Sequence, residues 1–205
     1  MTFVAGLDLG QSIDHAALVI GEARLHPLRL RLARIDRYPL RTSYAAILAD
    51  VAAKLDGLGK PAALALDSRG PGKPCVDLLA SWPGLALARL LAVSNTSGRV
   101  ARREPSRNGD PAHLERWCVP KVTLLRCLSR LVKSGGLVVE DIPGAAALKS
   151  EFHQFGFRFT EQGNLKLDAR SGHDDLVLAT ATMVWAAVTE SMSNGDQLGA
   201  NGGEI

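Results

Sequence analysis

The sequence predicts an α/β domain built on a mixed sheet. An antiparallel three-strand meander is followed by parallel strands, helices cover both faces, and a C-terminal β-hairpin precedes a final helix. Two patterns and one property of the chain predict this. Three strand-like segments open the chain, and apolar strand-like runs then alternate with amphipathic helical ones. The 205 residues are 46% hydrophobic, which suffices for one domain with a real core.

Three segments predict the N-terminal meander. FVAGLDL (3–9) is an apolar strand, GQSID has turn chemistry, and AALVIGEA (16–23) is its hairpin partner. LRLRLARIDRY (28–38) alternates apolar with basic residues, as in a half-buried strand that turns Arg29 and Arg31 toward solvent. The meander therefore forms one side of the sheet.

Helices and strands alternate through the rest of the chain. The pattern predicts a helix at 43–59, strands at 62–67 and 87–95, a flexible basic loop at 96–116, a helix at 120–136, a strand at 137–141, a helix at 144–156, a hairpin at 157–169 with its turn near Gly163, and a final helix within 170–187. Residues 1–190 then form one domain, and the polar, glycine-containing residues 191–205 are predicted to be a disordered tail.

The composition of the chain excludes several classes of protein to which it could belong. The formal net charge of +3 is too small to indicate a nucleic-acid binder by itself. Cys75, Cys118 and Cys127 lack metal-ligand spacing and are odd in number, which favours a reducing compartment over a disulfide framework. No apolar run of about 18 residues predicts a membrane span, and the N-terminus does not have the pattern of a signal peptide. We therefore expect a cytoplasmic protein.

Four carboxylates stand where chemistry could use them. Asp8 interrupts an apolar strand, Asp67 ends another, and Asp174 and Asp175 begin an apolar helix. Acids that converge repel one another, so one takes up a proton or a divalent cation binds. Oxygen ligands favour Mg²⁺ or Mn²⁺, and two such ions about 4 Å apart suit phosphodiester hydrolysis. Asp8 would then bridge both ions.

Each acid also has a purely structural interpretation. Asp8 could be a surface acid, and Asp67 could form an Asx turn. Ser171 and Asp174 have the spacing of a capping box, which favours Asp174 as a helix-start residue. Asp175 points about 100° further round the helix and is the better candidate ligand. Adjacent acids in a first turn can nevertheless both lean toward one ion.

Basic residues near the acids are accessory candidates. His173 could orient the site or approach the metal, and Lys121, at a helix start, could contact a phosphate or be a plain surface lysine. DNA binding would need positive charge, which the basic loop could supply. Its arginines are Arg99, Arg102, Arg103 and Arg107. With only 5% aromatic residues, base stacking is not expected, so cutting should show little sequence preference.

The segments GLDLGQSIDHAALVI, ALALD, VPKVTLL and GHDDLVLATA, in this order and spacing, resemble the nuclease domain of the large subunit of viral and prophage DNA-packaging terminases. That family has the RNase H-like fold. The resemblance covers residues 3–188, and GHDDLV is its most specific part. It implies a nuclease that uses two Mg²⁺ or Mn²⁺ ions to cut double-stranded DNA during viral genome packaging.

The family's site residues carry over to the matching positions. The resemblance implies Asp8, Asp67 and Asp175 as catalytic metal ligands, with Asp174 beside them. Many relatives have a further acid where this chain has Leu178, so a four-acid site of that kind is in doubt. The implied partners are a terminase ATPase domain or subunit, the small terminase subunit and the portal, in the cytoplasm of a host cell.

Two further points bear on this resemblance. Large terminases carry an ATPase before the nuclease, whereas GPGKP (70–74) is not a P-loop because no Ser or Thr follows GK. The chain is therefore expected to be either an excised domain or a separate polypeptide. The competing hypotheses are a Holliday-junction resolvase of the same fold, which would select four-way junctions, and a non-catalytic module derived from a prophage.

Overall fold

The computed structural model describes residues 1–10, 14–70, 72–85, 87–96, 98, 100–159, 165–169 and 174–200. Its strands and helices follow in chain order: β1 (Thr2–Asp8), β2 (Ala17–Leu25), β3 (Leu28–Arg37), α1 (Tyr44–Asp56), β4 (Ala62–Asp67), α2 (Gly72–Ala80), β5 (Leu87–Thr96), β6 (Arg102–Glu104), β7 (Leu114–Pro120), α3 (Lys121–Lys133), β8 (Leu137–Val138), α4 (Ala145–Gln154), β9 (Phe155–Phe159), β10 (Leu165–Ala169) and α5 (Asp175–Ala200).

Eight strands form one mixed sheet in the order β6-β7-β5-β4-β1-β2-β3-β8. Strands β1, β2 and β3 pair antiparallel, as expected of apolar segments joined by short connections. Strand β4 pairs parallel with β1, and β5 and β7 extend the parallel part. Strands β9 and β10 form a separate two-stranded hairpin. The mixed α/β sheet that the sequence predicts is therefore confirmed.

Helices cover both faces of the sheet, and the sheet separates the core into two hydrophobic clusters, one on each face. Leu48 of α1 and Val76 of α2 pack with Leu64 on one face. Leu128 of α3 and Met183 of α5 belong to the cluster on the other face, together with part of α4. Because both faces are buried, the central strands are almost continuously apolar, which explains their sequence pattern.

Helix α5 lies directly against strand β1, and Gly6 makes this contact possible. A Cβ atom added at Gly6 would lie 2.1 Å from the Ala179 carbonyl oxygen and 2.6 Å from the Met183 backbone nitrogen. These are backbone atoms of a buried helix, so they cannot move aside as a side chain would. The missing side chain at Gly6 thus fixes how closely the helix approaches the strand.

The structure adds helix α2, which the sequence pattern does not predict, and corrects the predicted elements in three further places. The segment 96–116, predicted to be one flexible loop, contains strand β6 and the start of β7. The strand predicted at 137–141 is only Leu137–Val138. Helix α5 continues to Ala200, so residues 191–200 are helical where a disordered tail was predicted. The turn near Gly163 and residues 201–205 lie outside the described residues, and the proposed boundary after 190 stays a prediction.

Two smaller observations complete the fold. The three cysteines are free thiols. No helix in the described part of the chain has the length and apolar character needed to cross a membrane.

Replacing Gly6 with alanine should destabilise the protein by about 3 kcal/mol or more, the upper end of overpacking, because the new methyl meets helix backbone. Gly21→Ala is the matched control, since its Cβ would meet mainly the Met183 sulfur, 3.0 Å away at the flexible end of a side chain. We expect the control to lose less than about 1 kcal/mol. Urea denaturation of both variants measures the difference; equal stabilities would contradict the proposed strand–helix contact.

Candidate active site

Two strand ends bring Asp8 and Asp67 to the same edge of the sheet. Strands β1 and β4 are parallel neighbours, and Leu7 pairs with Leu66, so the next residue on each strand is an aspartate. Parallel strands end at the same edge, where connections leave the sheet and side chains are no longer held in the core. The sheet register thus places two carboxylates side by side.

Helix starts supply the other charged groups at this edge. Asp174 lies at the N-terminal boundary of α5, where its carbonyl accepts from the Leu178 backbone N–H, and Asp175 is the first helical residue. Lys121 begins α3, and its Nζ lies 3.3 Å from Oδ2 of Asp174. Asp174 keeps 32% of its side chain exposed, whereas Asp175 is only 2% exposed. The two adjacent acids therefore occupy different environments.

Electrostatics show that the acids form one group around Asp8. The pKa of Asp8 is raised from 3.8 to about 7, first by burial of its carboxyl and then by the negative charges of Asp67, Asp174 and Asp175, in that order. Lys121 opposes this rise. Although Asp8 keeps some accessible surface at the strand end, its carboxyl is set deeply among other atoms. The acids are thus close enough to penalise one another's ionisation.

Each of the surrounding acids has a cationic partner. Asp67 Oδ2 lies 3.3 Å from Arg69 Nη2, and Asp67 Oδ1 accepts from the Arg69 backbone N–H at 2.9 Å, which is the Asx-type turn considered from the sequence. Asp174 faces Lys121, and Asp175 Oδ2 lies 3.4 Å from Arg37 Nε. Among the described residues, no three His, Cys, Asp or Glu side chains are close enough together to form a ligand cluster as they stand. The carboxylates of Asp67, Asp174 and Asp175 instead face their cationic partners.

The donor set nevertheless fits divalent cations. It consists of carboxylate oxygens, which hard ions such as Mg²⁺ and Mn²⁺ prefer. A buried carboxyl whose pKa is raised by three like charges is a group whose ionisation a bound cation would favour. Asp8, Asp67, Asp174 and Asp175 are therefore the described residues that could hold such ions. Their contacts with Arg69, Lys121 and Arg37 would have to loosen in part.

Asn95 is a polar residue at this edge that the sequence reasoning missed. It lies near the end of β5, and its Nδ2 donates to Asp67 Oδ2 at 2.8 Å. Its Oδ1 is buried and has no hydrogen-bond partner among the residues that the structure describes, and a buried amide oxygen without a partner costs roughly 1–3 kcal/mol. The signal was available, because Asn95 ends the predicted strand 87–95 just as Asp67 ends the predicted strand 62–67.

Glu151 is the second residue that the sequence reasoning missed. This α4 carboxylate is 5% exposed, and its Oε2 accepts from the Leu176 and Val177 backbone N–H groups at 3.0 and 3.1 Å. It therefore caps the first turn of α5, the role that the sequence favoured for Asp174. Its Oε1 contacts Arg37 Nη2. The signal was its spacing: Ala145, Leu148 and Glu151 form the buried stripe of α4.

The predicted DNA-contacting arginines are spread along the sheet. Arg102 pairs with Cys118, near the end of β7 that leads to Lys121, while Arg103 pairs with Trp117. Arg107 precedes the opposite end of β7 and lines a cavity of about 480 Å³ there, so the structure does not bring it to the acids. Arg99 and His173 lie outside the described residues.

Comparison with known proteins supports the fold. No protein-family model matches the chain, and no curated protein matches it. Solved structures do. The large terminase nuclease domain of Thermus phage P74-26 has 16% identity and a TM-score of 0.55, over 89% of this chain and 77% of that one. The large terminase nuclease domain of bacteriophage SPP1 with bound manganese has 14% identity and a TM-score of 0.56, over 89% and 85%.

A viral relative outside the phages matches as well. The terminase nuclease domain of human cytomegalovirus, soaked with manganese and with an inhibitor bound, has 15% identity and a TM-score of 0.59, over 90% of this chain and 81% of that one. At such identities the likeness concerns the fold. The RNase H-like architecture that the motifs imply is therefore confirmed for this chain.

The raised pKa of Asp8 predicts that Asp8→Asn stabilises the protein in a chelating buffer. A folded-state pKa above the ordinary value means that stability is full below pH 4 and is lost as the pH rises through about 7. Asparagine cannot ionise, so its advantage over the wild type should grow with pH to on the order of 2–4 kcal/mol above pH 7. Urea denaturation from pH 4 to 9 measures it; a difference in stability between variant and wild type that does not change with pH would refute the raised pKa of Asp8.

Proposed function

We propose that this chain is a metal-dependent endonuclease that cuts double-stranded DNA in viral genome packaging. One observation carries the proposal: carboxylates from two parallel strand ends and from the start of α5 gather around Asp8, whose pKa is raised to about 7 by its burial and by their charges. The fold that holds them is shared with terminase nuclease domains of two phages and of human cytomegalovirus. A fold alone does not define an activity, so the acids carry the argument.

The proposed ligands are Asp8 and Asp67 from the sheet and the Asp174–Asp175 pair from the helix. Mg²⁺ or Mn²⁺ ions bound by these carboxylates would activate a water molecule and stabilise the leaving oxygen of a phosphodiester. The manganese in the SPP1 and cytomegalovirus structures supports this choice of metal. Two ions, with Asp8 between them, remain the proposal that the sequence suggested.

The remaining side chains of the site have supporting roles in this proposal. Lys121 faces Asp174 and lowers the electrostatic cost of ionising Asp8, and its ammonium would also attract a DNA phosphate. Asn95 holds one oxygen of Asp67 in place. We further propose that the enzyme acts with a terminase ATPase domain or subunit, the small terminase subunit and the portal. It would read DNA through its backbone, with little sequence preference.

Single substitutions of the acids should abolish cutting of plasmid DNA in Mn²⁺. We expect Asp8→Asn, Asp67→Asn and Asp175→Asn each to reduce cleavage by at least about 100-fold, because each would remove a charged metal ligand. Asp56→Asn, at an exposed acid ending α1, is the matched control and should cut normally. Gel analysis with Mn²⁺, Mg²⁺, Ca²⁺ or chelator measures this.

The outcomes separate the competing functions. Wild-type protein that neither cuts DNA nor binds Mn²⁺ would favour a non-catalytic module, and selective cutting of four-way junctions would favour a resolvase. Asp174→Asn distinguishes the two helix acids. It should affect activity less than Asp175→Asn; the reverse result would make the more exposed Asp174 the main ligand. Circular dichroism of every variant excludes unfolding as the cause.

Asn95→Ala should weaken Mn²⁺ binding, so that cleavage needs a higher Mn²⁺ concentration, because Asp67 would lose the hydrogen-bond donor that holds its Oδ2. Loss of such an orienting hydrogen bond typically costs 10–100-fold in metal affinity or activity. Ser94→Ala is the matched control, since the neighbouring Ser94 hydroxyl bonds to Ser68 and not to an acid of the site. Cleavage rates over a Mn²⁺ titration measure both variants. Identical curves would remove Asn95 from the site.

A further inference from the structure

A cation and a carboxylate from two other elements hold the start of helix α5. Glu151 of α4 accepts hydrogen bonds from the first free backbone N–H groups of α5, which otherwise have no partner within the helix. Arg37, the last residue of β3, contacts Glu151 through Nη2 and reaches Asp175 through Nε. Arg37, Glu151 and Asp175 are more than 20 residues apart in the sequence, yet they meet beside the candidate metal site.

Burial makes this cluster energetically consequential. Glu151 and Asp175 are 5% and 2% exposed, so both carboxylates that contact Arg37 lie away from bulk water. A buried charge without a partner is strongly destabilising. Arg37 is the cation that both carboxylates share, and its guanidinium presents several donors in a fixed planar arrangement. The position of the Asp175 carboxylate therefore depends on how strongly the Arg37 guanidinium also pairs with Glu151.

We propose that Arg37 and Glu151 are positioning residues for the metal ligands of helix α5. Glu151 fixes the first turn of the helix through its backbone and draws Arg37 away from Asp175, which leaves the Asp175 carboxylate able to share in binding a metal ion. This inference rests on the proposed function and assigns a task to two residues outside the set of candidate ligands.

Removing the charge of Glu151 while keeping its hydrogen-bonding shape tests the idea. In Glu151→Gln the amide oxygen can still accept from the helix N–H groups, but Arg37 loses one of its two carboxylates and should turn fully to Asp175. Asp175 would then be a poorer ligand. We expect the dissociation constant for Mn²⁺ to rise about 10-fold or more, with a smaller effect on the cleavage rate at saturating metal.

Helix α5 provides a matched control further along its length, away from its first turn. Glu190 is also partly buried and pairs with Arg89, whose Nη1 lies 2.6 Å away, but this pair does not contact the acids of the site. Glu190→Gln therefore removes an ion pair of the same helix without disturbing its first turn. We expect unchanged Mn²⁺ affinity for this variant. Electron paramagnetic resonance of free Mn²⁺ measures binding to wild type and variants, independently of DNA cleavage.

Each result bears on one hypothesis. A Glu151→Gln protein that binds Mn²⁺ as tightly as Glu190→Gln and wild type overturns the positioning role. Wild-type protein without Mn²⁺ binding or cleavage overturns the proposed function instead. If Glu151→Gln does not fold, Arg37→Lys decides, because lysine keeps the charge but cannot reach both acids with separate nitrogens. An Mn²⁺ affinity that changes several-fold in Arg37→Lys supports the proposal, with weaker binding if the lysine pairs with Asp175 and tighter binding if it pairs with Glu151. An unchanged affinity overturns it.

Discussion

Repulsion between carboxylates at one edge of the sheet is the constraint on which this structure depends. Asp8 sits where the end of β1 meets the start of α5, and its burial together with three other acids makes its ionisation unfavourable. Such an arrangement opposes folding at neutral pH unless cations offset it. The chain provides them from separate elements: Arg37 at the end of β3, Arg69 after β4 and Lys121 at the start of α3.

Among the described residues at this edge, negative charges outnumber positive ones. With Glu151 included, five carboxylates face three cations, so the group stays formally negative when all of them are ionised. A protein selected for stability alone would gain by replacing some of these acids with neutral residues. Carboxylates retained against that pressure are typical of sites that bind cations or perform chemistry.

The sequence predicts the sheet and the acids better than it predicts their supports. Strict strand and helix periodicities predict the meander, β4 and most helices. The start of β7 falls within the segment 96–116, which its polar and basic composition predicts to be a loop, yet Arg116 is 7% exposed and pairs with Asp110. Glu151 and Arg37 could not be paired from sequence, because their contact joins residues 114 positions apart and depends on tertiary packing. Local patterns do not encode such partners.

The contact between Gly6 and helix α5 limits how the site can move. Strand and helix touch backbone to backbone, so sliding or rotating the helix would drive the Ala179 carbonyl into the strand. The half of the site on β1 and the half on α5 consequently behave as one rigid body. Opening, closing or retuning such a centre falls to side-chain rotations and to the segments around it. Small molecules that block it would therefore meet a framework of nearly constant shape.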